Sequence, residues 1–381
     1  MKYDLIVIGA GVMGAFHAYH ASKAGKKVLL LDKDYRQKGS STQNFGQVVP
    51  SGMSKKWNTY GQRTLQIYEE LQQFHDFTLR KNGSMYIASD ADEQLLLEEV
   101  QAYHQKNGYH SEPLTAKSLM ERYPDIKPSY VKSGLFFPQE MSVDPGQFVY
   151  LFTAFMKEKK YVDYLSGACA VDIEETSAAC VVKLASGQKY EAEKVLLCCG
   201  YTFQILYPEV FKNSGIVVSK LQMLQTKPLP SVRLKGNILT GLTIRRYEAF
   251  EECPSFASIQ TPMHLQELKD QGIHILFKQA DDGSIILGDS HEYAAVTDLH
   301  KLGNHSNEHI DLLMMHEVAR IVDITPEDIN KRWSGFYAQH PDKLFEKNIS
   351  ENIHIITGIG GKGMTSCAGF AEESIRSLLH L

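Results

Sequence analysis

Three glycines near the start of the chain, and one acid after them, have the spacing of a nucleotide-binding turn. They are Gly9, Gly11 and Gly14, in the pattern G-x-G-x-x-G, and Asp32. Gly9 permits a tight turn, Gly11 lets a pyrophosphate approach the main chain, and Gly14 lets a helix pack closely on a strand. Asp32 is placed to accept hydrogen bonds from a ribose 2′-hydroxyl. The pattern predicts a dinucleotide site and leaves FAD and NAD both open.

The elements that position these residues are a strand, a helix and a second strand. Residues 3–8 (YDLIVI) and 27–32 (KVLLLD) are short apolar runs typical of buried parallel strands. Between them, small and apolar residues recur at helical spacing from Val12 to Ala24, and Gly25 ends the pattern. This β-α-β unit is the context that a G-x-G-x-x-G pattern requires.

A second strand, glycine-rich turn and helix lie at the end of the sequence. The segment is HIITGIGGKGMTSCAGFAEES, with glycines at 358, 360, 361 and 363. Such a turn presents backbone N–H groups and the positive end of a helix dipole to an electron-rich group. A flavin ring, whose N1–C2=O edge becomes negative on reduction, fits this description. A turn without a ligand is the alternative.

Composition excludes several classes of protein. The 381 residues carry a net charge of -5, with a pI near 6.3, which gives no attraction to nucleic acid or to a membrane surface. No apolar run approaches the roughly 18 residues that span a membrane, and LIVI before the glycines is too short for a signal peptide. The six cysteines include no C-x-x-C pair. We expect a reduced, soluble, cytoplasmic protein of about two domains.

Periodicity and turn residues predict the remaining elements. Thr115 is the expected N-cap of one helix, and Asp144 with Pro145 opens another. Strands are expected at 84–89, as a meander over 168–197, and as extended segments over 215–290. Helices are expected at about 58–80, 91–107, 115–122 and 305–321.

Two histidine pairs lie at helical spacing. They are His17 with His20, and His305 with His309. Neither pair has a third ligand at a recognisable spacing, so we interpret all four as solvated helix residues and predict no metal site.

In this order along the chain, the motifs resemble those of the D-amino-acid oxidase (DAO) family of flavoproteins, which includes glycine oxidase and sarcosine oxidase. Between the two glycine turns lie SLMERYP, SGLFFPQEMSVDPGQF, EAEKVLLCCGYTF, DDGSIILGDS and RWSGFYAQHPD. The resemblance covers the whole chain. It implies an α/β fold, with a Rossmann-like FAD-binding domain of the GR2/DAO type and an inserted substrate domain built on a mostly antiparallel β-sheet. The implied FAD domain comprises 1–83, 141–214 and 322–381, and the substrate domain 84–140 and 215–321.

The resemblance also implies that FAD is held by both glycine turns, by the polar loop after Asp32 and by the end of the EAEKVLLCCG segment. The implied contacts are Gly9, Gly11, Val12, Met13, Gly14, Asp32, Lys33, Ser41, Thr42, Asn44, Gly46, Gly200, Gly358, Gly360, Gly361, Lys362, Gly363 and Met364.

For the substrate, the resemblance implies an arginine that holds an anionic end, because a guanidinium binds carboxylate or phosphonate through two parallel hydrogen bonds. Arg245, Arg246 and Arg332 are candidates, and Arg246 leads because it precedes Tyr247 in the segment that should face the flavin. Surface salt bridges are the alternative for all three. Two further residues, Tyr337 and His340, are either pocket residues or ordinary loop packing.

Three positions depart from patterns of the resembled family. Gly335 stands where sarcosine oxidase relatives attach flavin through a cysteine, so we expect noncovalent FAD. Ile286 stands where those relatives carry an oxygen-activating lysine, which leaves the electron acceptor open. The segments SSTQNFGQVVPSG and LTIRRYEAF resemble a subgroup linked with aminophosphonate breakdown, although Gln43 replaces the arginine of that subgroup.

The sequence thus predicts an FAD-dependent oxidoreductase that converts a small anionic primary or secondary amine to an imine, which water hydrolyses. Amino acids, N-methyl amino acids and aminophosphonates are the candidate substrates, and oxygen or another acceptor would reoxidise the flavin. The alternatives are a dehydrogenase that passes electrons to a quinone or carrier protein, and a non-catalytic dinucleotide-binding protein.

Overall fold

The computed structural model describes residues 2–381. The strands are β1 (Lys2–Ile8), β2 (Val28–Leu31), β3 (Gln47–Val48), β4 (Ser84–Ala88), β5 (Glu112–Thr115), β6 (Ser133–Phe137), β7 (Met141–Ser142), β8 (Asp163–Leu165), β9 (Ala170–Glu175), β10 (Cys180–Leu184), β11 (Lys189–Leu197), β12 (Val217–Thr226), β13 (Asn237–Leu239), β14 (Leu276–Gln279), β15 (Ile285–Gly288), β16 (Glu292–Ala295), β17 (Ile329–Gln339), β18 (Phe345–Asn348) and β19 (Ile353–Thr357).

The α-helices pack on these strands or cover the edges of the sheets. They are α1 (Val12–Lys23), α2 (Lys55–Gln72), α3 (Ala91–Lys106), α4 (Ala116–Arg122), α5 (Pro145–Glu158), α6 (Pro208–Lys212), α7 (Gly241–Ile244), α8 (Glu248–Glu251), α9 (Gln266–Asp270), α10 (Glu308–Ile321) and α11 (Gly363–Leu378). No helix within residues 2–381 is both long enough and apolar enough to cross a membrane.

The first sheet has the order β18-β19-β11-β1-β2-β8, and β10 and β9 extend it beside β11. Strands β19, β11, β1, β2 and β8 run parallel. The carboxyl ends of parallel strands meet at one edge of a sheet, where α/β proteins bind their ligands. The turns at Gly9, Gly200 and Gly358 therefore all lie at this edge.

The second sheet has the order β16-β12-β15-β14-β13-β4-β6-β5, and its pairs are antiparallel except for β4 with β13. Strand β17 also belongs to it and pairs with β12 from Val217 with Gln339 to Thr226 with Ile329. Backbone pairing thus places residues 329–339 in the antiparallel sheet, whereas the predicted domain boundary at residue 322 groups them with the FAD-binding domain.

Side chains cap the N-termini of helices α3, α4, α5 and α10. Thr115 accepts from the Ser118 N–H and Asp144 from the Gly146 N–H, as their predicted N-cap roles require. The predicted helix at 58–80 ends earlier, at Gln72, whose side chain accepts from Phe77 N. Helix α10 begins later than predicted, because Asn307 caps it through His309 N.

The interpretation of His17 and His20 as solvated residues is wrong. Helix α1 packs against α11, and His17 is fully buried there, with Nδ1 2.7 Å from Met13 O and Nε2 3.1 Å from Ser374 Oγ. Burial lowers the pKa of both histidines to about 4. His305 and His309 are exposed, and His309 pairs with Glu267 at 2.9 Å.

Candidate functional site

A cavity of about 440 Å³ lies at the carboxyl edge of the parallel sheet and extends to the antiparallel sheet. This volume is typical of ligand sites. Most of the predicted cofactor residues line it: Gly9, Gly11, Val12, Met13, Asp32, Lys33, Ser41, Asn44, Gly46, Gly200, Gly358, Gly360, Gly361, Lys362, Gly363 and Met364.

Two predicted cofactor residues, Gly14 and Thr42, are not part of the cavity wall. A Cβ at Gly14 would overlap the carbonyl oxygen of Gly9, so this glycine serves the packing of α1 against the turn. The Thr42 hydroxyl donates to Gly39 O at 3.1 Å and stabilises its own loop. Direct contact of Gly14 and Thr42 with a cofactor stays a prediction.

The N-terminal turn is held by Asp32. Its carboxylate accepts from Ala10 N at 2.7 Å and from Asp34 N at 2.8 Å. Burial raises the pKa of Asp32, and these two hydrogen bonds oppose that rise. Gly9 has a φ of 103°, and a Cβ there would overlap Cys198 O, so only glycine fits. The acid thus fixes the turn as well as lining the cavity.

The C-terminal turn is held by a partly buried ion-pair network. Lys362 Nζ lies 3.1 Å from one oxygen of Glu248, and Lys343 Nζ lies 3.1 Å from the other. Burial lowers the pKa of Lys362. Burial favours the neutral form of Glu248, but the two ammonium groups hold its pKa below the usual value. Through Glu248, helix α8 fixes the position of the turn that precedes α11.

The cavity wall has space where glycines lack side chains. A Cβ at Gly200 would meet nothing within 4 Å, and one at Gly361 would come no closer than 3.9 Å, to Tyr337 Oη. The backbone of both turns is thus open to a ligand.

At Gly335 a Cβ would instead overlap Gln43 O, so the chain excludes any larger residue there. Burial also raises the pKa of the lining thiol Cys199 to about 12, which makes it a poor nucleophile.

Arg246 and Tyr337 line the same cavity on the side of the antiparallel sheet. Arg246 lies just after α7, and its Nη2 donates to Tyr293 Oη at 2.7 Å. Among residues 2–381 no carboxylate lies within salt-bridge distance of its guanidinium, so the charge of Arg246 is free for a ligand. Leu221 and Leu276, both buried, supply the apolar part of the wall.

The structure does not bring three other candidates to the cavity. Arg245 turns away and pairs with Asp90 at 2.7 Å and with Glu93 at 2.8 Å. Arg332 lies on β17, and its half-exposed side chain pairs with Asp311 at 2.7 Å. The ring of His340 lies 3.0 Å from Ser214 O and packs beside Gly358, behind the turn. Each of these three side chains is held by a residue that does not line the cavity.

A buried cluster that the sequence did not reveal lies next to Arg246. It comprises His274, before β14, and Asp289 and His291, after β15. His274 Nε2 lies 3.0 Å from Asp289 Oδ1, and His291 Nε2 lies 3.1 Å from Tyr337 Oη. The two imidazole rings stack with centroids 5.2 Å apart. The only sequence signal is a polar residue at the ends of two neighbouring apolar strands.

The cluster has the composition of a metal site, since its ligand atoms lie within 4.8 Å of one another. Its hydrogen bonds favour another role. His291 Nδ1 lies 3.0 Å from Gly272 O. Because a carbonyl only accepts, Nδ1 carries the hydrogen of the neutral ring, and the lone pair of Nε2 accepts from Tyr337 Oη at 3.1 Å. Burial lowers the pKa of His291 to about 3 and that of His274 well below its usual value, so both rings are neutral.

Comparison with protein families gives one match over nearly the whole chain. The sequence model of the DAO family, described as FAD dependent oxidoreductase, matches residues 4–375. Among curated proteins, the N-methyl-L-tryptophan oxidase of Citrobacter koseri is 27% identical over 217 residues, which cover 55% of this chain and 56% of that protein. The chain thus matches little more than half the length of this relative.

Solved structures share the fold across the chain. Glycine oxidase from Geobacillus kaustophilus superposes with a TM-score of 0.78 at 16% identity, covering 100% of this chain and 95% of the other. L-proline dehydrogenase from P. horikoshii gives a TM-score of 0.79 at 18% identity, covering 98% and 92%. At these identities the likeness shows the fold alone.

Proposed function

The chain belongs to the DAO family of FAD-dependent oxidoreductases, and we propose that it oxidises a small anionic primary or secondary amine to an imine. The observation that carries the proposal is Arg246, a cation in the cavity wall without a carboxylate partner. A desolvated guanidinium favours an anion that can accept two hydrogen bonds. Amino acids, N-methyl amino acids and aminophosphonates all offer such a group beside an amine.

The FAD would lie along the two glycine turns. The open backbone at Gly200 and Gly361 fits a large planar and anionic group, and the α1 N-terminus favours its pyrophosphate. Asp32 would hold the adenosine ribose, and Lys362, fixed by Glu248, would lie beside the ring system. When bound, FAD supplies the acceptor for the hydride that leaves the carbon next to nitrogen.

The residues of the chain bind and orient the substrate. Arg246 would hold the anionic end, while Leu221 and Leu276 exclude water from the reacting carbon. Tyr337 Oη lies near the Gly361 turn and donates to His291 Nε2, so the phenol is fixed between the two binding regions. These residues would hold a small molecule between the anion site and the C-terminal turn.

The nitrogen substituent and the electron acceptor are the finer parts of the proposal. The name of the N-methyl-L-tryptophan oxidase relative supports secondary amines among the substrates. Ile286 in place of a lysine supports a slow reaction with oxygen, and hence the dehydrogenase alternative.

An anaerobic screen tests the proposal. The FAD-loaded enzyme is mixed with amino acids, N-methyl amino acids and aminophosphonates, and each is paired with its methyl ester, which removes anionic charge. We expect bleaching of the flavin by an anionic amine and at least a tenfold slower reaction with its ester. Equal bleaching by acid and ester would refute the anion site. A flavin that no amine bleaches would favour the non-catalytic alternative.

A further inference from the structure

We propose that the carboxylate of Asp289 receives the amino group of the substrate, so that the site binds zwitterions rather than simple anions. This inference rests on the proposed function, since it concerns the same cavity and the same reaction. It assigns a binding role to a residue that neither its sequence motif nor the two glycine turns explain.

The first observation is a buried acid without a donor. Asp289 is 5% exposed and lines the cavity. Its Oδ1 has no hydrogen-bond partner among residues 2–381, because His274 Nε2, although 3.0 Å away, is not aligned for one. An unsatisfied buried carboxylate is costly. Because the carboxylate lines the cavity, a ligand that donates hydrogen bonds to it from there would offset that cost.

The second observation is the opposite charge on the same wall. Arg246 and Asp289 both line the cavity, yet within residues 2–381 they do not form an ion pair with each other. A ligand with only an anion would satisfy Arg246 and leave Asp289 without a partner. A ligand with an anion and an ammonium group satisfies both. The pair therefore points to an amino acid or an aminophosphonate in its zwitterionic form.

Apart from Arg246, the groups that face Asp289 carry no positive charge that would compete with a substrate ammonium for its carboxylate. His274 faces it from the segment before β14, His291 from the segment after β15, and Tyr337 from β17. Arg246 and Tyr247 face it from the segment between α7 and α8. Both histidines are neutral, so Arg246 is the only charged neighbour in this set. Burial raises the pKa of Asp289 to about 7, against the charge of Arg246.

This placement also gives Asp289 a chemical step. An amine assists loss of hydride from its carbon only with a free lone pair on nitrogen. An N–H bond of the ammonium breaks, an O–H bond forms on Asp289, and the electron pair of the broken bond stays on nitrogen. A carboxylate with a raised pKa is a better base for this transfer than an ordinary one.

The experiment uses probes that cannot be oxidised. 2-Aminoisobutyrate has no hydrogen on its α-carbon, and isobutyrate is its counterpart without the amino group. The phosphonates (2-aminopropan-2-yl)phosphonate and isopropylphosphonate form a second pair. Each probe is titrated into the FAD-loaded enzyme, and binding is followed by the visible absorption of the flavin and by calorimetry. We expect the amino member of at least one pair to bind roughly ten- to hundredfold more tightly.

Asp289→Asn should abolish this preference while the anion-only probe still binds. The matched control is Glu140→Gln. Glu140 is fully buried, its pKa is also raised to about 7 by burial, and it accepts hydrogen bonds from Ser51 N and Tyr109 Oη away from the cavity. This control should keep the wild-type preference, since it changes a buried acid without changing the wall.

The outcomes separate the two proposals. Equal binding of both members of a pair by the wild-type enzyme overturns the inference and leaves the anion site standing, even if Asp289→Asn does not fold. Equal weakening of both members in Asp289→Asn overturns it too, because that result marks a purely structural role. Failure of all four probes to bind would refute the anion site, and the proposed function with it.

Discussion

Replacement of Arg246 is the most direct test of how this site holds its substrate. Its guanidinium lines the cavity, donates to Tyr293 at 2.7 Å and has no carboxylate partner within residues 2–381. Arg246→Ala would leave the substrate anion desolvated without a partner. Truncation of one member of such a pair costs about 2–5 kcal/mol. The rate of flavin reduction per unit substrate concentration should therefore fall roughly 30-fold to several thousandfold.

Arg246→Lys should give an intermediate loss. Lysine keeps the charge but not the planar fork that makes two parallel hydrogen bonds. An anchor at one end of a small molecule also orients the carbon that reacts, so the loss should appear in the limiting rate as well as in the dissociation constant. Rapid mixing under anaerobic conditions, with the best amine from the screen, separates these two quantities.

Arg332→Ala is the matched control for this measurement. Its side chain is 44% exposed and pairs with Asp311 outside the cavity, so we expect reduction within about twofold of the wild type. FAD content and the flavin spectrum should stay normal in all three variants. Near-normal reduction by Arg246→Ala would refute the reasoning, because a charge of the cavity wall would then contribute nothing to substrate binding.

Three further predictions concern the cofactor and stability. Acid or heat should release all the flavin as FAD, because Gly335 offers no thiol and Gln43 O leaves no room for one; flavin that stays with the precipitated chain would contradict this. Asp32→Ala should weaken FAD binding roughly ten- to hundredfold, from the loss of hydrogen bonds to a charged acceptor, and unchanged affinity in reconstitution titrations would place the ribose elsewhere. Burial raises the pKa of Glu140 from 4.5 to about 7, so its contribution to stability is present in full below the unfolded value and is lost as the pH rises towards 7. The wild type should lose roughly 3 kcal/mol relative to Glu140→Gln between pH 4 and pH 8, and parallel urea-unfolding curves for the two proteins would refute that assignment.

Local signals were sufficient for the elements of the nucleotide-binding unit. The strand, helix and second strand around Gly9 follow from short-range periodicity, and Thr115 and Asp144 cap their helices through bonds within a few residues. The family resemblance supplied the two-domain α/β arrangement. The sequence did not reveal that β17 joins the antiparallel sheet, because its pairing with β12 is a contact between distant parts of the chain.

Burial of polar residues was harder to predict than secondary structure. His17 lies on an ordinary-looking helix, and only the packing of α1 on α11 removes it from water. The same difficulty separates the three arginine candidates. Arg245 and Arg246 are neighbours in sequence, yet one is neutralised by Asp90 and Glu93 of a distant segment, and the other is not. Which arginine remains free for a ligand depends on where those carboxylates fold.

The substrate side of the cavity is likewise formed by residues that are distant from one another in the sequence. His274, Asp289, His291 and Tyr337 come from three different parts of the antiparallel sheet, and no spacing in the sequence connects them. Dinucleotide sites share one backbone geometry, and that geometry requires glycines at fixed spacing. The sequence therefore reveals such a site. A substrate site of this kind is instead defined by charges that the fold leaves without partners. The absence of partners around Arg246 and Asp289 is therefore more informative than the types of residue present, and it can be established only once every neighbouring donor and acceptor has been located.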